Sequence, residues 1–310
     1  MTIGSGWRGR RVLVTGASGF IGTALCRRMS EEGAEVHGVS RAERAATDVC
    51  TRWHKCRLDD IDEVRALLGK TRPDYIYDLA SHVAGSRAVE LVPPTFSGNL
   101  AGPVNLLTAA TERGCERIFL AGSQEEPAPG PDDPVPSSPY AAAKFAAGAY
   151  GRMFFALYNT PVVNLRLFMV YGPGQQDLRK LVPYVILSLL KSDTPRVSSG
   201  ARQVDWIYVD DVVAGYRAAT AAKGLEGETI ELGTGRLESV RGVVEQLCAL
   251  IDPRARPAFG SIPERAMEQV RAADSDRTFR RIGWRAQTNL REGLALTARW
   301  YRDQVARGAL

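Results

Sequence analysis

The chain is short of the side chains that metal and nucleophilic chemistry needs. It has five cysteines, Cys26, Cys50, Cys56, Cys115 and Cys248, and no two of them make a Cys-x-x-Cys pair. That scatter supplies neither a disulfide framework nor a zinc site. The three histidines, His37, His54 and His82, are equally dispersed, so a Ser-His-Asp triad finds no support and no metal is expected. No apolar run reaches the length needed to cross a bilayer. The first 11 residues are polar and glycine-rich, unlike a signal peptide. Neither a basic run nor an interleaving of basic and aromatic residues occurs, which argues against nucleic acid as a partner. These absences lead to the expectation of a cytoplasmic protein that engages neither membrane nor nucleic acid.

What is present is ordinary globular composition, with 45% apolar and 24% charged residues. The 310 residues suffice for one large α/β domain or two linked ones. The net charge of +5, from 40 basic and 35 acidic residues, is mild and suits an anionic ligand such as a nucleotide.

Strand and helix patterns alternate through the first half. Short apolar strands are expected at 11–15, 35–39, 54–58, 75–80, 117–121 and 162–168, with helices at 20–32, 61–68 and 96–113 and around Tyr140. Repeated β-α-β units imply a right-handed, doubly wound parallel sheet of Rossmann-like α/β type. The second half is less regular, with helices at 178–191, 212–222, 240–251 and 290–305 and a strand at 229–232. Tyr171-Gly172-Pro173-Gly174 and Ile251-Asp252-Pro253 mark joints. The resulting division is a dinucleotide-binding domain at 1–171, to which 205–233 returns, and a smaller C-terminal α/β substrate-binding subdomain at 172–204 and 234–310.

Two stretches carry chemistry. Gly16-Ala17-Ser18-Gly19-Phe20-Ile21-Gly22 follows the first strand and opens a helix. The first glycine permits the tight turn, the second lets backbone approach a pyrophosphate, and the third allows close helix–strand packing. The helix N-terminus then offers unpaired N–H groups to phosphate. In Tyr140-Ala141-Ala142-Ala143-Lys144, phenol and ammonium lie one turn apart on one helix face. The alanines leave room for ligands to come close. A free phenol has a pKa near ~10, and an adjacent ammonium favours its ionised form, so Lys144 is expected to draw Tyr140 toward the range useful in proton transfer.

With these motifs on one chain, the sequence resembles the extended short-chain dehydrogenase/reductase family, in its nucleotide-sugar epimerase, dehydratase and ketoreductase branch. Further matches are Leu79-Ala80, Asn99 with Gly102 and Asn105-Leu106-Leu107, Arg166 with Tyr171-Gly172-Pro173-Gly174-Gln175, and Asp205-Trp206-Ile207-Tyr208-Val209-Asp210-Asp211. Gly283-Trp284 with Gly293-Leu294 resembles the closing segment. The resemblance implies that Ser123, at the end of the fifth strand, hydrogen-bonds the reacting sugar oxygen. It implies that Tyr140 exchanges the proton and that Lys144 holds the nicotinamide ribose. The cofactor would lie along Gly16, Ser18, Gly19, Phe20, Ile21, Gly22, Leu58, Leu79, Ala80, Ser81 and Asn99 as well as Tyr140 and Lys144. Glu125 stands where dehydratases of the family carry a base, and reads either as that base or as a solvated loop acid. A homodimer through the Tyr140 helix and the helix after Asn99 is implied as well.

Several positions depart from the family's pattern. Its Tyr-Gly after the Glu125 segment is replaced by Pro127-Ala128-Pro129-Gly130. Its Asn after Phe168 is Met169, which is expected at the substrate site without that polar contact, and its Arg before Asp205 is Val204, leaving Arg202 two residues earlier as the expected contact to the diphosphate. NAD binders place a carboxylate at the end of the second strand. Here Ser40-Arg41-Ala42-Glu43-Arg44 offers arginines instead, which suit the 2′-phosphate of NADP. NADP is therefore expected over NAD. The activity implied is hydride transfer at a nucleotide-sugar carbon, foremost reduction of a 4-keto-hexose. 4-epimerisation and 4,6-dehydration are the alternatives, with a non-catalytic dinucleotide sensor as the reading from another class.

Overall fold

The computed structural model describes residues 7–47, 49–83, 87–128, 133, 135–264 and 267–310. Among them, seven strands form one sheet: β1 (Arg11–Thr15), β2 (Glu35–Ser40), β3 (Arg52–Lys55), β4 (Tyr75–Asp78), β5 (Arg117–Ser123), β6 (Val162–Leu167) and β9 (Thr229–Leu232). Their order is β3-β2-β1-β4-β5-β6-β9, and every pairing is parallel. The apolar runs explain this, because a parallel sheet covered on both faces needs strands without polar alternation. Leu13 packs with Val64, Leu106 and Leu107 on one face. Its neighbours Val12 and Val14 pack with Leu25, Val212 and Tyr216 on the other. Helices α2 (Ile61–Thr71), α4 (Gly102–Arg113) and α5 (Pro139–Tyr158) form the first layer, and α1 (Phe20–Glu31) and α7 (Val209–Ala221) pack together in the second. Chain order reverses between β1 and β4, and such a reversal opens a crevice at the C-terminal strand ends.

Three expectations are corrected. The third strand is Arg52–Lys55 rather than 54–58, because a turn closed by Asp60 N–H on the Arg57 carbonyl ends it. The helix expected at 96–113 is composite: α3 (Val92–Phe96) runs through a π-helical turn, Ser97–Ala101, into α4. Pro103 has no N–H for the carbonyl four residues back, and the wider turn accommodates that gap. The segment 205–233 does not return as a whole. β8 (Gln203–Tyr208) pairs parallel with β7 (Met169–Tyr171) and antiparallel with β10 (Leu237–Ser239) in a separate three-stranded sheet, and only α7 and β9 rejoin the large one.

The smaller lobe packs α6 (Leu181–Leu190), α8 (Val240–Ile251) and α10 (Leu290–Ala306) around Tyr171, Trp206, Tyr208, Leu247, Leu294 and Tyr301. Two buried carboxylates tie its segments down. Asp205 accepts the N–H groups of Thr234, Gly235 and Ala273 and the Thr234 hydroxyl, and Asp211 accepts the N–H groups of Gln287 and Thr288. Beside β9 lies α9 (Ser275–Ile282), whose Thr278 hydroxyl donates to the Glu231 carbonyl at 2.8 Å.

His37 and His54, on β2 and β3, are both buried, with Nδ1 of the first 2.9 Å from Nε2 of the second. Burial, reinforced by His37, Lys70 and Arg52, brings the His54 pKa down to about 4. Burial also lowers His37. Between the unfolded value near ~6.5 and that folded value, the unfolded chain binds a proton that the native one refuses. Stability should therefore fall as pH falls through this window. Melting temperatures from pH 8 to 5 should drop more steeply for the wild type than for His54→Gln, and equal slopes would show that His54 contributes nothing.

Candidate active site

Strand ends and helix starts place the expected residues at one end of the large sheet. β1 delivers the turn of Gly16, whose φ of +63° favours glycine. A Cβ there would stand 2.7 Å from the Leu79 carbonyl oxygen and 2.8 Å from Ala80 N, and a Cβ at Gly22 would meet the Gly16 carbonyl oxygen at 2.1 Å. The turn thus lies directly on the β4 backbone. Sequence reasoning missed what fastens it. Thr15 Oγ1 donates to buried Asp78 at 2.6 Å and accepts from Leu79 N and Ala80 N. A hydroxyl and a carboxylate closing two adjacent apolar strands were the available signal.

The start of α1 has neither a side-chain cap nor a first-turn acid. α2 is capped by Asp60, α8 by Ser239 and α10 by Asn289. Phe20, Ile21 and Gly22 therefore bring their N–H groups to the crevice with no side-chain acceptor at the cap, the arrangement an anion requires. Gln176, from the loop after β7, reaches the Ser18 carbonyl at 2.5 Å and so joins the second lobe to this turn. The glycine cradle, bare helix start and switch point together fit a nicotinamide dinucleotide.

At the end of β2, Arg41 is exposed and makes no described hydrogen bond or ion pair. Arg44 is held by Ser40 Oγ at 3.2 Å and lies over the Trp53 ring at 5.3 Å. Leu58 packs under α4, where a Cβ on Gly102 would touch it at 3.2 Å. Buried Asn99 orders the segment after β4: its Oδ1 accepts from Ser81 Oγ and His82 N, and its Nδ2 donates to the His82 carbonyl.

Ser138 caps α5 by accepting Ala141 N–H, and Pro139 takes the first helical position, where its missing N–H costs no bond. Tyr140 and Lys144 follow on the buried side. The nearby hydroxyls of Ser123 and Ser81 favour the ionised form of Tyr140, but burial outweighs both and pushes the phenol up to about 12, aided by the nearby charges of Glu125 and Glu126. The expected pull from Lys144 is not what sets this phenol. Nζ instead donates to the Ala121 carbonyl at 2.8 Å, and burial lowers the ammonium's own pKa against the opposing influence of Asp78 and Glu126.

Ser123 ends β5 with its Oγ accepting Glu125 N–H at 3.1 Å. Glu125 is half-buried and faces a pocket shared with Gln124, Arg87, Arg202 and Glu268. Arg202 donates from Nη1 to Glu268 at 2.9 Å, while its Nε is buried without a described partner. Met169 is not brought into this pocket: as part of β7 it packs against the core of the smaller lobe. Pro129 and Gly130 lie outside the described residues.

The chain is similar to known proteins over nearly its whole length. Residues 12–233 match the model of the NAD dependent epimerase/dehydratase family. A UDP-glucose 4-epimerase of Mycolicibacterium smegmatis is 30% identical over 95% of this chain and 99% of its own. A dTDP-glucose 4,6-dehydratase of Neisseria gonorrhoeae is 28% identical over 96% and 97% of the two chains. The structure of a Thermus thermophilus UDP-glucose 4-epimerase in complex with NAD superimposes with a TM-score of 0.82 at 26% identity, covering 94% of this chain and 99% of that one. The family model spans the large sheet and the glycine turn at its switch point, and the chain belongs to the NAD dependent epimerase/dehydratase family.

Proposed function

We propose that this protein reduces the 4-keto group of a nucleotide-linked hexose, with NADP(H) preferred. The observation that carries the reading is the Tyr140 phenol at the start of α5, pushed up to about 12 by burial and influenced by the Ser123 hydroxyl at the end of β5. A protonated phenol is the form needed to donate to an oxygen that gains charge as its carbon is reduced. When bound, the nicotinamide ring supplies the hydride. Ser123 Oγ orients the sugar oxygen, and Tyr140 Oη delivers the proton to it. Buried Lys144 places a positive charge near the site in a region of low dielectric, where it would also hold the nicotinamide ribose. Arg202, with its unpartnered Nε, takes an anionic oxygen of the diphosphate. Glu125 supports a second reading as a 4,6-dehydratase, because it sits in the same pocket as Arg202 and beside Ser123.

A panel of nucleotide sugars and nucleotide-linked 4-keto sugars, each with and without NADPH, separates the readings. Net NADPH consumption is expected. Loss of water, or isomerisation without consumption, would replace reduction by dehydration or epimerisation. On the active substrate, Tyr140→Phe should lower turnover by roughly 10²–10⁴-fold with cofactor binding retained, and near-wild-type turnover would remove Tyr140 from the chemistry.

Arg41 and Arg44 support the NADP preference, since they stand where a carboxylate would otherwise meet the ribose. Arg41→Ala should weaken NADP binding by about 10- to 100-fold more than NAD binding, matching ~1.5–3 kcal/mol for a hydrogen bond to a charged group. Titrations showing equal losses would refute the assignment.

A homodimer through α5 and the preceding helical segment belongs to the same proposal. Val92 and Phe96 of α3, with Tyr150, Leu157 and Tyr158 of α5, are exposed apolar side chains on adjacent helices. Light scattering at micromolar concentration should give twice the 33.8 kDa chain mass, and Phe96→Glu with Tyr150→Glu should give the monomer.

A further inference from the structure

The buried carboxylate next to the site has a role that the proposed chemistry does not use. Glu126 is 4% exposed and accepts the Ser123 N–H on Oε1 at 2.6 Å. Its Oε2 accepts Arg166 Nη2 at 2.9 Å. Arg166 donates from Nη1 to Glu231 at 3.0 Å, and Glu231 also accepts from Arg271 and from Asp274 N–H. One polar chain therefore runs from the catalytic turn on β5, through β6 and β9, to the segment just past Glu268 at the pocket. Neighbouring backbone is shaped to admit the carboxylate: a Cβ on Gly122 would stand 2.5 Å from Glu126 Oε1. The turn is also closed by Glu126 N–H on the Ser123 carbonyl at 3.1 Å, so the residue holds Ser123 at both its N–H and its C=O.

Charge-assisted hydrogen bonds to a fully paired carboxylate are short and directional. A buried carboxylate shared between an arginine and a backbone N–H has little freedom to move, because losing either partner leaves a desolvated charge. We propose that Glu126 is a positioning residue, which fixes Ser123 against Tyr140 by taking the Ser123 N–H on one oxygen and Arg166 on the other. The proposal rests on Ser123 and Tyr140 acting as described above. Glu126 itself is fully engaged by these partners and touches no reacting atom.

Three variants and two readouts test it. Glu126→Gln keeps an acceptor for Ser123 but turns an amide N–H toward Arg166, so kcat should fall only a few-fold. Glu126→Ala removes the acceptor and should lower kcat by roughly 100-fold, the scale of a small misplacement, with the substrate KM changed less than ~3-fold. Amide exchange at Ser123, read by NMR, should stay slow in wild type and Glu126→Gln and become fast in Glu126→Ala. Where Glu126→Ala fails to fold, Gly122→Ala displaces the carboxylate without removing it and should reproduce both losses. Wild-type kcat in Glu126→Ala, or a Gln variant as slow as the Ala variant, would overturn the proposal. If wild type turns over no nucleotide sugar, the proposed function fails on its own account. Ser123 exchange then decides the brace, and unchanged protection in Glu126→Ala defeats it.

Discussion

The catalytic end of the sheet is set by how closely the turn at Gly16 lies on the backbone of Leu79 and Ala80. At 2.7–2.8 Å from a Cβ that is not there, no other L-residue fits without moving β1 or β4. Thr15 and Asp78 hold the two strands at that separation through a hydrogen bond to a buried carboxylate, worth about 1.5–3 kcal/mol in typical cases. The contact fixes where α1 begins and so where its free N–H groups point. It also fixes the segment after β4, which Asn99 then orders through Ser81 and His82, near Tyr140. The glycine turn and the setting of Tyr140 are thus two results of one strand-to-strand spacing.

The electrostatics of the site follow from burial more than from pairing. Tyr140 and Lys144 are both moved toward their neutral forms by loss of solvent, even though each has polar partners. This is the expected order of effects when groups are desolvated in a closely packed α/β interface. A phenol that stays protonated and an ammonium that is less firmly charged form a different pair from the one their spacing implies.

Much of this was legible in the sequence, because local signals and tertiary demands agree in the first half. Short, largely apolar strands alternating with helices point to the parallel doubly wound arrangement, and glycines between strand and helix mark the cradle. Ser123 was expected from the family resemblance, at the end of the fifth strand, and Tyr140 from its four-residue spacing to Lys144. Less was legible wherever long-range pairing decides. Asp205-Trp206-Ile207-Tyr208 has the composition of a buried strand, but nothing local says which sheet it joins; the partners β7 and β10 lie about thirty residues away on either side. Glu126 reads as one more loop acid until Arg166, forty residues on, is found beside it. The bond from Lys144 to the Ala121 carbonyl was not legible, because helix spacing says which residues share a face and nothing of the carbonyl on β5.

The closure of β9 bears on how the protein behaves in a crowded solution. A terminal strand of a parallel sheet presents unpaired backbone groups that invite a second molecule to add its own strand. Here the Glu231 carbonyl already receives the Thr278 hydroxyl, its side chain receives Asp274 N–H, and α9 lies alongside. Arg277 and Arg281 of that helix also reach Glu228, at the entry to the strand. The edge is therefore partly covered by α9 and guarded by charge, so a strand from a second copy would have to displace Thr278 from the Glu231 carbonyl before it could pair there.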